Sequence, residues 1–393
     1  MSAPTAPVPL LDLQAQFATI KEEVMARVVQ VFEEQAFILG PHVGRAEKEL
    51  AEYLEVPHAL GVSSGTDALL LSLMALGVGP GDGVITTPFT FFATAGSIVR
   101  LGATPLLADI DPATYNLDPA QVERLLDRRD LPARPKALVP VHLFGQPADM
   151  DRLMAIARAH GLKVVEDAAQ AIGVVHPGAA GARNIGSIGD TGCFSFFPSK
   201  NLGGAGDGGL ITCTDDGLAA RLRSMRTHGS HPAEKYRHVY VGGNFRLDAV
   251  QAAVVSAKLP HLEAWSQARR DNAADYDRLF KASGLVDKGL VGLPARAWPA
   301  EPRSHVYNQY VLRVRDRAGV MAALGQAKVG HAVYYPIPMH LLECFASLGG
   351  KPGDLPQAEK AAQEVLAIPV YPELTSGQRQ RVVEVIAGFY AKG

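Results

Sequence analysis

Residues 136–145 read KALVPVHLFG, and residues 163–170 read KVVEDAAQ. Neither run alternates apolar with polar residues as a strand does when one face meets water. Continuous apolar runs of this kind belong to strands covered on both faces, which is the situation of a parallel sheet sandwiched between helices. The first run predicts a strand over 137–141 and the second a strand over 163–165. Working outward, similar short runs stand at 59–62, 83–86, 104–108, 192–195 and 209–213. Amphipathic segments separate several of them, for example 119–126 and 149–159. Strand and helix alternating over more than 150 residues predict an α/β fold, with a mostly parallel seven-stranded sheet between helices.

Beyond residue 213 the pattern changes. A helical stretch runs from about Leu247 to Lys281, with Val250, Ala253, Val254 and Ala257 on one face and Pro260 interrupting it. After about residue 285 come GLPARAWPAEPRS, a strand-like run over 307–314, and helical segments to the end. These predict a large domain over 1–260, with its N-terminal segment free to pack elsewhere. A linking helix and a smaller α/β domain fill 261–393.

Composition narrows the class. Of 393 residues, 38 are Lys or Arg and 40 are Asp or Glu, a formal net charge of −2. Such balance argues against a nonspecific nucleic-acid binder. The three cysteines, Cys193, Cys213 and Cys344, are far apart, with neither a CxxC pair nor zinc spacing, so no metal site is expected and a reducing cytoplasm fits. The apolar runs are too short to span a bilayer, and the first residues lack the pattern of a secretory signal.

Three segments carry chemistry. Ser63-Ser64-Gly65-Thr66-Asp67 follows a strand and opens an apolar helix, so backbone N–H groups and hydroxyls converge where an anion could sit. A plain helix cap accounts for the same residues. Asp167 stands at the C-terminal end of a buried strand, where open α/β sheets bind ligands, and could keep a ligand's ring nitrogen protonated. A helix-capping aspartate is the alternative. Finally, the run from Cys193 to Gly209 holds one lysine, Lys200, followed by five glycines in seven residues. Such a loop lets backbone approach a ligand closely, and a lysine among apolar neighbours becomes a usable amine nucleophile. A phosphate cradle, an acid for a ring nitrogen and an amine for an aldehyde are what pyridoxal 5′-phosphate (PLP) requires.

The sequence resembles the DegT-type nucleotide-sugar aminotransferases, PLP enzymes of fold type I. Nine stretches carry the resemblance in order: ILGPHVGRAEKELAEYL, GVSSGTDALLLSLMALGVGPGD, TTPFTFFATA, DIDPATYNLDP, VEDAAQ, SFFPSKNLGGAGDGG, GGNFRLDAVQAA, YYPIPMH and LAIPVYPEL. The resemblance implies that Lys200 is the Schiff-base lysine and proton carrier, and that Asp167 pairs with the pyridinium. It implies that Gln170 meets the ring hydroxyl and Phe91 stacks on the ring. Ser64, Gly65, Thr66 and Ser195 would hold the phosphate, and Asn244 would reach it from the neighbouring protomer of a homodimer with shared sites. Arg246, Tyr335 and His340 would lie near the sugar nucleotide. Where some relatives acting on hexuronic acid sugars have His, this chain has Tyr334.

The activity so implied is ping-pong transamination from L-glutamate to a nucleotide-linked keto sugar, a 3-keto sugar ahead of a 4-keto sugar. Relatives that are sugar dehydratases carry His in place of the lysine, so Lys200 argues against that class. The remaining rival is a PLP-binding regulator without turnover, although no DNA-binding extension or basic patch is present.

Overall fold

The computed structural model describes residues 6–392. Seven strands form the main sheet: β1 (His58–Val62), β2 (Asp82–Thr86), β3 (Thr104–Leu107), β4 (Arg134–Val139), β5 (Lys163–Asp167), β6 (Thr191–Ser195) and β7 (Gly209–Cys213). Their spatial order is β1-β7-β6-β5-β4-β2-β3. The pairs β2/β3, β2/β4, β4/β5 and β5/β6 are parallel. Strand β7 alone runs the other way, antiparallel to both β6 and β1. The expected sheet is therefore present, with one reversed strand that returns the chain from the glycine-rich loop.

Along β5, Val164 belongs to one apolar core and Val165 to the other. Successive side chains of a strand point to opposite faces, so both faces of the sheet must be covered, and this is why the sequence reads as unbroken apolar runs. One core packs the sheet against α2 (Pro41–Leu54), α5 (Pro119–Leu126) and α6 (Met150–His160). The other packs it against α3 (Gly65–Ala75), α4 (Ala93–Arg100) and α7 (Asp216–Arg226). Two boundaries shift. The strand expected over 137–141 spans Arg134–Val139, because Pro140 has no N–H for a ladder. The strand expected over 163–165 continues to Asp167, carrying Glu166 into the sheet.

Helix α8 (Ala249–Lys258) and helix α9 (Leu262–Ala282) are separated by a 3₁₀ turn at Leu259–His261, where Pro260 breaks the α pattern. A second, antiparallel sheet follows, of β8 (Val291–Gly292), β9 (Tyr310–Val314) and β10 (Val365–Ile368). The strand-like run expected from 307 begins pairing only at Tyr310. Its core joins Tyr276, Phe280, Leu324, Val382 and Ile386 from α9, α10 (Arg317–Gln326) and α11 (Ser376–Tyr390). Val8 is buried in this same core and bridges to Val329, so the N-terminal segment packs on the C-terminal sheet. The 22-residue helix α1 (Leu13–Glu34) then lies along α8.

Candidate active site

The site lies beyond the C-terminal ends of β5 and β6. Asp167 closes β5 and is only 5% exposed. Its Oδ2 accepts from Thr94 Oγ at 2.8 Å and its Oδ1 from the Ala169 N–H at 3.2 Å. A carboxylate has room for about four donors, so two acceptor directions stay open. Burial pushes its pKa above the usual carboxylate value, against the opposing pull of those bonds and of the Lys200 charge. A buried carboxyl in this state is stabilised by any cation brought against it.

Lys200 enters from the loop joining β6 to β7. Its backbone N–H donates to Phe197 O at 2.9 Å, and Gly204 N–H donates to Phe196 O at 2.7 Å. Side-chain bonds between the loop and its surroundings pin it further. Asn201 Nδ2 donates to Ile172 O at 3.0 Å, Gln251 Oε1 accepts from Ala205 N–H at 2.8 Å, and Lys258 Nζ donates to Gly203 O at 2.7 Å. The half-buried Lys200 is thus delivered from an organised loop, yet among the described residues its own amine makes no hydrogen bond. Burial pushes its pKa down to about 8, with Asp167 pulling the other way. An unbonded amine that loses its proton far more readily than an ordinary lysine is a nucleophile in waiting.

The Ser/Gly/Thr turn packs against β6. Ser64 caps α3, its Oγ accepting from Asp67 N–H at 3.0 Å, while Ser63 Oγ donates to Asp67 Oδ2 at 2.6 Å. The capping reading therefore holds for the Ser64 hydroxyl. A side chain at Gly65 would come within 2.7 Å of Ser195 Cβ, and one at Gly209 within 2.6 Å of the Ser64 backbone. Glycine at these two places lets the helix terminus, with its free N–H groups, close on Ser195. The Ser195 oxygen accepts from Phe197 N–H at 3.3 Å and keeps its own proton to give. Thr66 stands in the first turn of α3.

Gln170 is buried between two partners. Its Oε1 accepts from Phe144 N–H at 2.6 Å, and its Nε2 donates to Tyr335 Oη at 3.2 Å. Phe91 is 58% exposed, and its ring centroid stands 6.3 Å from that of Tyr335. The structure thus brings Tyr335 from the C-terminal region to the sheet end. Burial raises the Tyr335 hydroxyl pKa, keeping it a neutral donor. His340 differs from expectation: it is buried, its Nε2 lies 3.0 Å from Glu359 Oε1, and Glu359 also accepts two bonds from Gly353 N–H. Its Nε2 thus braces its own loop, while its Nδ1 is buried with no hydrogen-bond partner among the described residues.

Asn244 and Arg246 lie beside their own chain's Ser63 and Ser64, because Phe245 O accepts from Ser63 N–H at 3.0 Å and Arg246 bridges to Val62. Together with Asp67 and Asp207 they line a cavity of about 550 Å³. The Nε of Arg246 is buried there without a partner among the described residues. Three contributors escaped sequence reasoning. Thr94, Gln251 and Lys258 each sit within or close to a recognisable motif, but only the fold shows that they meet Asp167 or the glycine-rich loop.

A family model described as the DegT/DnrJ/EryC1/StrS aminotransferase family matches residues 18–387. The chain belongs to the DegT/DnrJ/EryC1/StrS aminotransferase family. It is a PLP-dependent aminotransferase. It is 48% identical over 383 residues to a "pleiotropic regulatory protein" of Geobacillus stearothermophilus, covering 98% of each chain. It is 42% identical over 381 residues to the UDP-N-acetyl-3-dehydro-α-D-glucosamine 3-aminotransferase of Acidithiobacillus ferrooxidans, covering 96% of this chain and 97% of the relative. The structure of NtdA from Bacillus subtilis with bound cofactor PMP superposes with a TM-score of 0.87 at 30% identity, covering 100% of this chain and 86% of that one.

Proposed function

We propose that this aminotransferase moves an amino group from L-glutamate to a nucleotide-linked keto sugar carrying its ketone at C-3. The observation that carries the transfer chemistry is the pairing of an unbonded lysine amine, Lys200, with a buried carboxyl of open capacity, Asp167. The substrate class rests on the named activity of the Acidithiobacillus relative, a 3-aminotransferase of a UDP-linked sugar.

The residues present fit PLP. The close approach of Gly65 to Ser195 leaves a cradle of N–H groups and a hydroxyl for a phosphate, with Thr66 adding a second hydroxyl. Asp167 would hold the ring nitrogen protonated, since a carboxylate beside a cation favours the charged form of both. Gln170 would meet the ring hydroxyl, and Phe91 would cover the ring face. When bound, the cofactor supplies an electrophilic aldehyde and an electron-withdrawing ring. The chain's part is to hold it and to move protons. Lys200 would hold the cofactor through its Nζ at the aldehyde carbon, and as a free amine would carry the proton at the donor's α-carbon. Arg246 and Tyr335 would orient the sugar nucleotide.

Asn244 would serve the phosphate of a second copy, so the working unit is a homodimer with shared sites. Apolar side chains left exposed support that reading: Met25, Val29 and Phe32 on α1 are 45–55% exposed, and Val241 is 88% exposed. No helix among the described residues is long and apolar enough to cross a membrane. We assign the chain to the cytoplasm, on three free thiols.

The deciding experiment is the absorption spectrum of the purified protein before and after L-glutamate. Loss of the visible band and growth of a near-ultraviolet one is expected, reversed afterwards by a nucleotide-linked 3-keto sugar. Reversal only by 4-keto sugars would move the amination to C-4. The name of the Geobacillus relative favours a second reading, a regulatory role; a yellow protein unmoved by any amino donor would put it first.

A further inference from the structure

Immediately before Asp167, and on the opposite face of β5, lies a second buried carboxylate that the proposed chemistry does not use. Glu166 is wholly buried and fully satisfied. Its Oε1 accepts from Ile188 N–H and Gly189 N–H, both at 2.7 Å. Its Oε2 accepts from Gly186 N–H at 2.9 Å and from His142 Nε2 at 3.1 Å. His142 is also wholly buried, and its Nδ1 accepts from Ala148 N–H at 3.0 Å. That bond leaves Nδ1 without a proton, so the imidazole is neutral and donates from Nε2. Burial alone would raise the Glu166 pKa, but the bonds from His142, Gly189 and Gly186 hold it low.

This unit touches Asp167 through the backbone. His142 N–H donates to Asp167 O at 3.0 Å, and Asp167 N–H donates to Pro140 O at 2.9 Å. On the other side, Glu166 and Asp167 are registered against Gly192 and Cys193 of β6, the strand that leads to Ser195 and Lys200. Of two consecutive carboxylates, one has every acceptor direction spent on two other chain segments, the turn at Gly186–Gly189 and His142. Its neighbour holds two bonds and keeps room for a ligand. A buried anion with one side removed is costly, so Glu166 cannot drift without losing the bonds that fix it.

We propose that Glu166 and His142 are positioning residues: an imidazole–carboxylate brace behind the sheet that fixes the end of β5 so that the Asp167 carboxylate stands at the place where the cofactor's ring nitrogen is to bind. The inference rests on the reading of Asp167 as the partner of that nitrogen. Glu166→Gln keeps the shape but turns a donor toward at least one N–H group that needs an acceptor. His142→Asn removes the brace from the other end.

The test is a double-mutant cycle on the apo full-length protein, titrated with PLP and followed by tryptophan fluorescence and by the absorbance of the bound cofactor. Asp167→Asn alone is expected to weaken PLP about tenfold or more. Glu166→Gln and His142→Asn should each fold with a cooperative melt, weaken PLP about tenfold, and shift the pH at which the bound cofactor's absorbance titrates. In the Asp167→Asn background their effect should largely vanish, because they act through Asp167. Additive losses in the double variants, or wild-type affinity and spectrum in a folded Glu166→Gln protein, would overturn the brace while leaving the Asp167 reading intact. Wild-type affinity of Asp167→Asn itself would instead overturn the reading beneath it. If neither Glu166→Gln nor His142→Asn folds, the pair serves the fold alone and the proposal falls.

Discussion

Two lysines in this molecule are driven to the same pKa, about 8, by the same cause, burial. Lys258 on α8 is 8% exposed and spends its ammonium on the carbonyl of Gly203 at 2.7 Å, with the charge of Glu373 nearby. Lys200 has Asp167 nearby but no hydrogen bond among the described residues. Desolvation alone therefore does not make a nucleophile. The distinction is between an amine whose donors are used and one whose donors are held idle by an organised loop. Lys258 is one of the groups doing the holding, since its bond and that of Gln251 to Ala205 N–H fix the segment that carries Lys200.

Replacing Lys200 is the most severe way to break the comparison. Lys200→Ala should lower transamination by about 10³-fold or more, the scale of losing both a positioned nucleophile and a proton carrier. The apo variant should melt at least as high as the wild type, because a half-buried amine without a hydrogen-bond partner in the protein contributes nothing favourable to the fold. Substantial residual turnover, measured with L-glutamate and a keto-sugar panel, would remove Lys200 from its assigned place. Asp167→Asn comes next. An opposite charge within about 4–6 Å is worth roughly 1–3 pKa units to the group it faces, so the amide should cost about 10- to 1,000-fold in turnover with the protein still folded. Kinetics equal to the wild type would mean that another acid serves the ring.

The sheet and the three chemical segments were legible because they depend on local pattern. Short apolar runs that do not alternate, set between amphipathic segments, read as doubly covered strands, and a glycine-dense loop after such a strand reads as a place of close backbone approach. What could not be read was whatever depends on long-range placement. Thr94 reaches Asp167 across 73 positions of sequence and Lys258 reaches Gly203 across 55. Neither residue type in its own surroundings announces such a partner. Val8 joining the core of the C-terminal sheet is the same kind of fact, a tertiary contact without a local signature. His340 shows the converse. Its motif suggested a substrate contact, but the fold brings the carboxylate of Glu359 to its Nε2 from 19 positions away.

Lys258→Met sharpens the comparison with the smallest effect. Methionine keeps the apolar stem but leaves the buried Gly203 carbonyl without its donor, a loss of about 1–3 kcal/mol. The removal of a buried amine offsets part of that. Turnover should stay within about tenfold of wild type, since the amine removed takes no part in transfer. The diagnostic is pH. A lysine whose pKa is about 8 when folded and 10.5 when unfolded is neutral in the native protein, and protonated in the unfolded one, between those limits. The unfolded state then binds more protons, so stability rises with pH across that window, by about 3 kcal/mol at most for one such group. The apo protein should therefore gain stability from pH 8 towards 10.5, measured by urea unfolding. Lys258→Met and Lys200→Ala should each flatten the rise by a similar amount, while only the second abolishes turnover. If Lys258→Met left the slope unchanged, its ammonium would not be the group that burial neutralises. If it stopped turnover as completely as Lys200→Ala, the division between the holding lysine and the reacting one would fail.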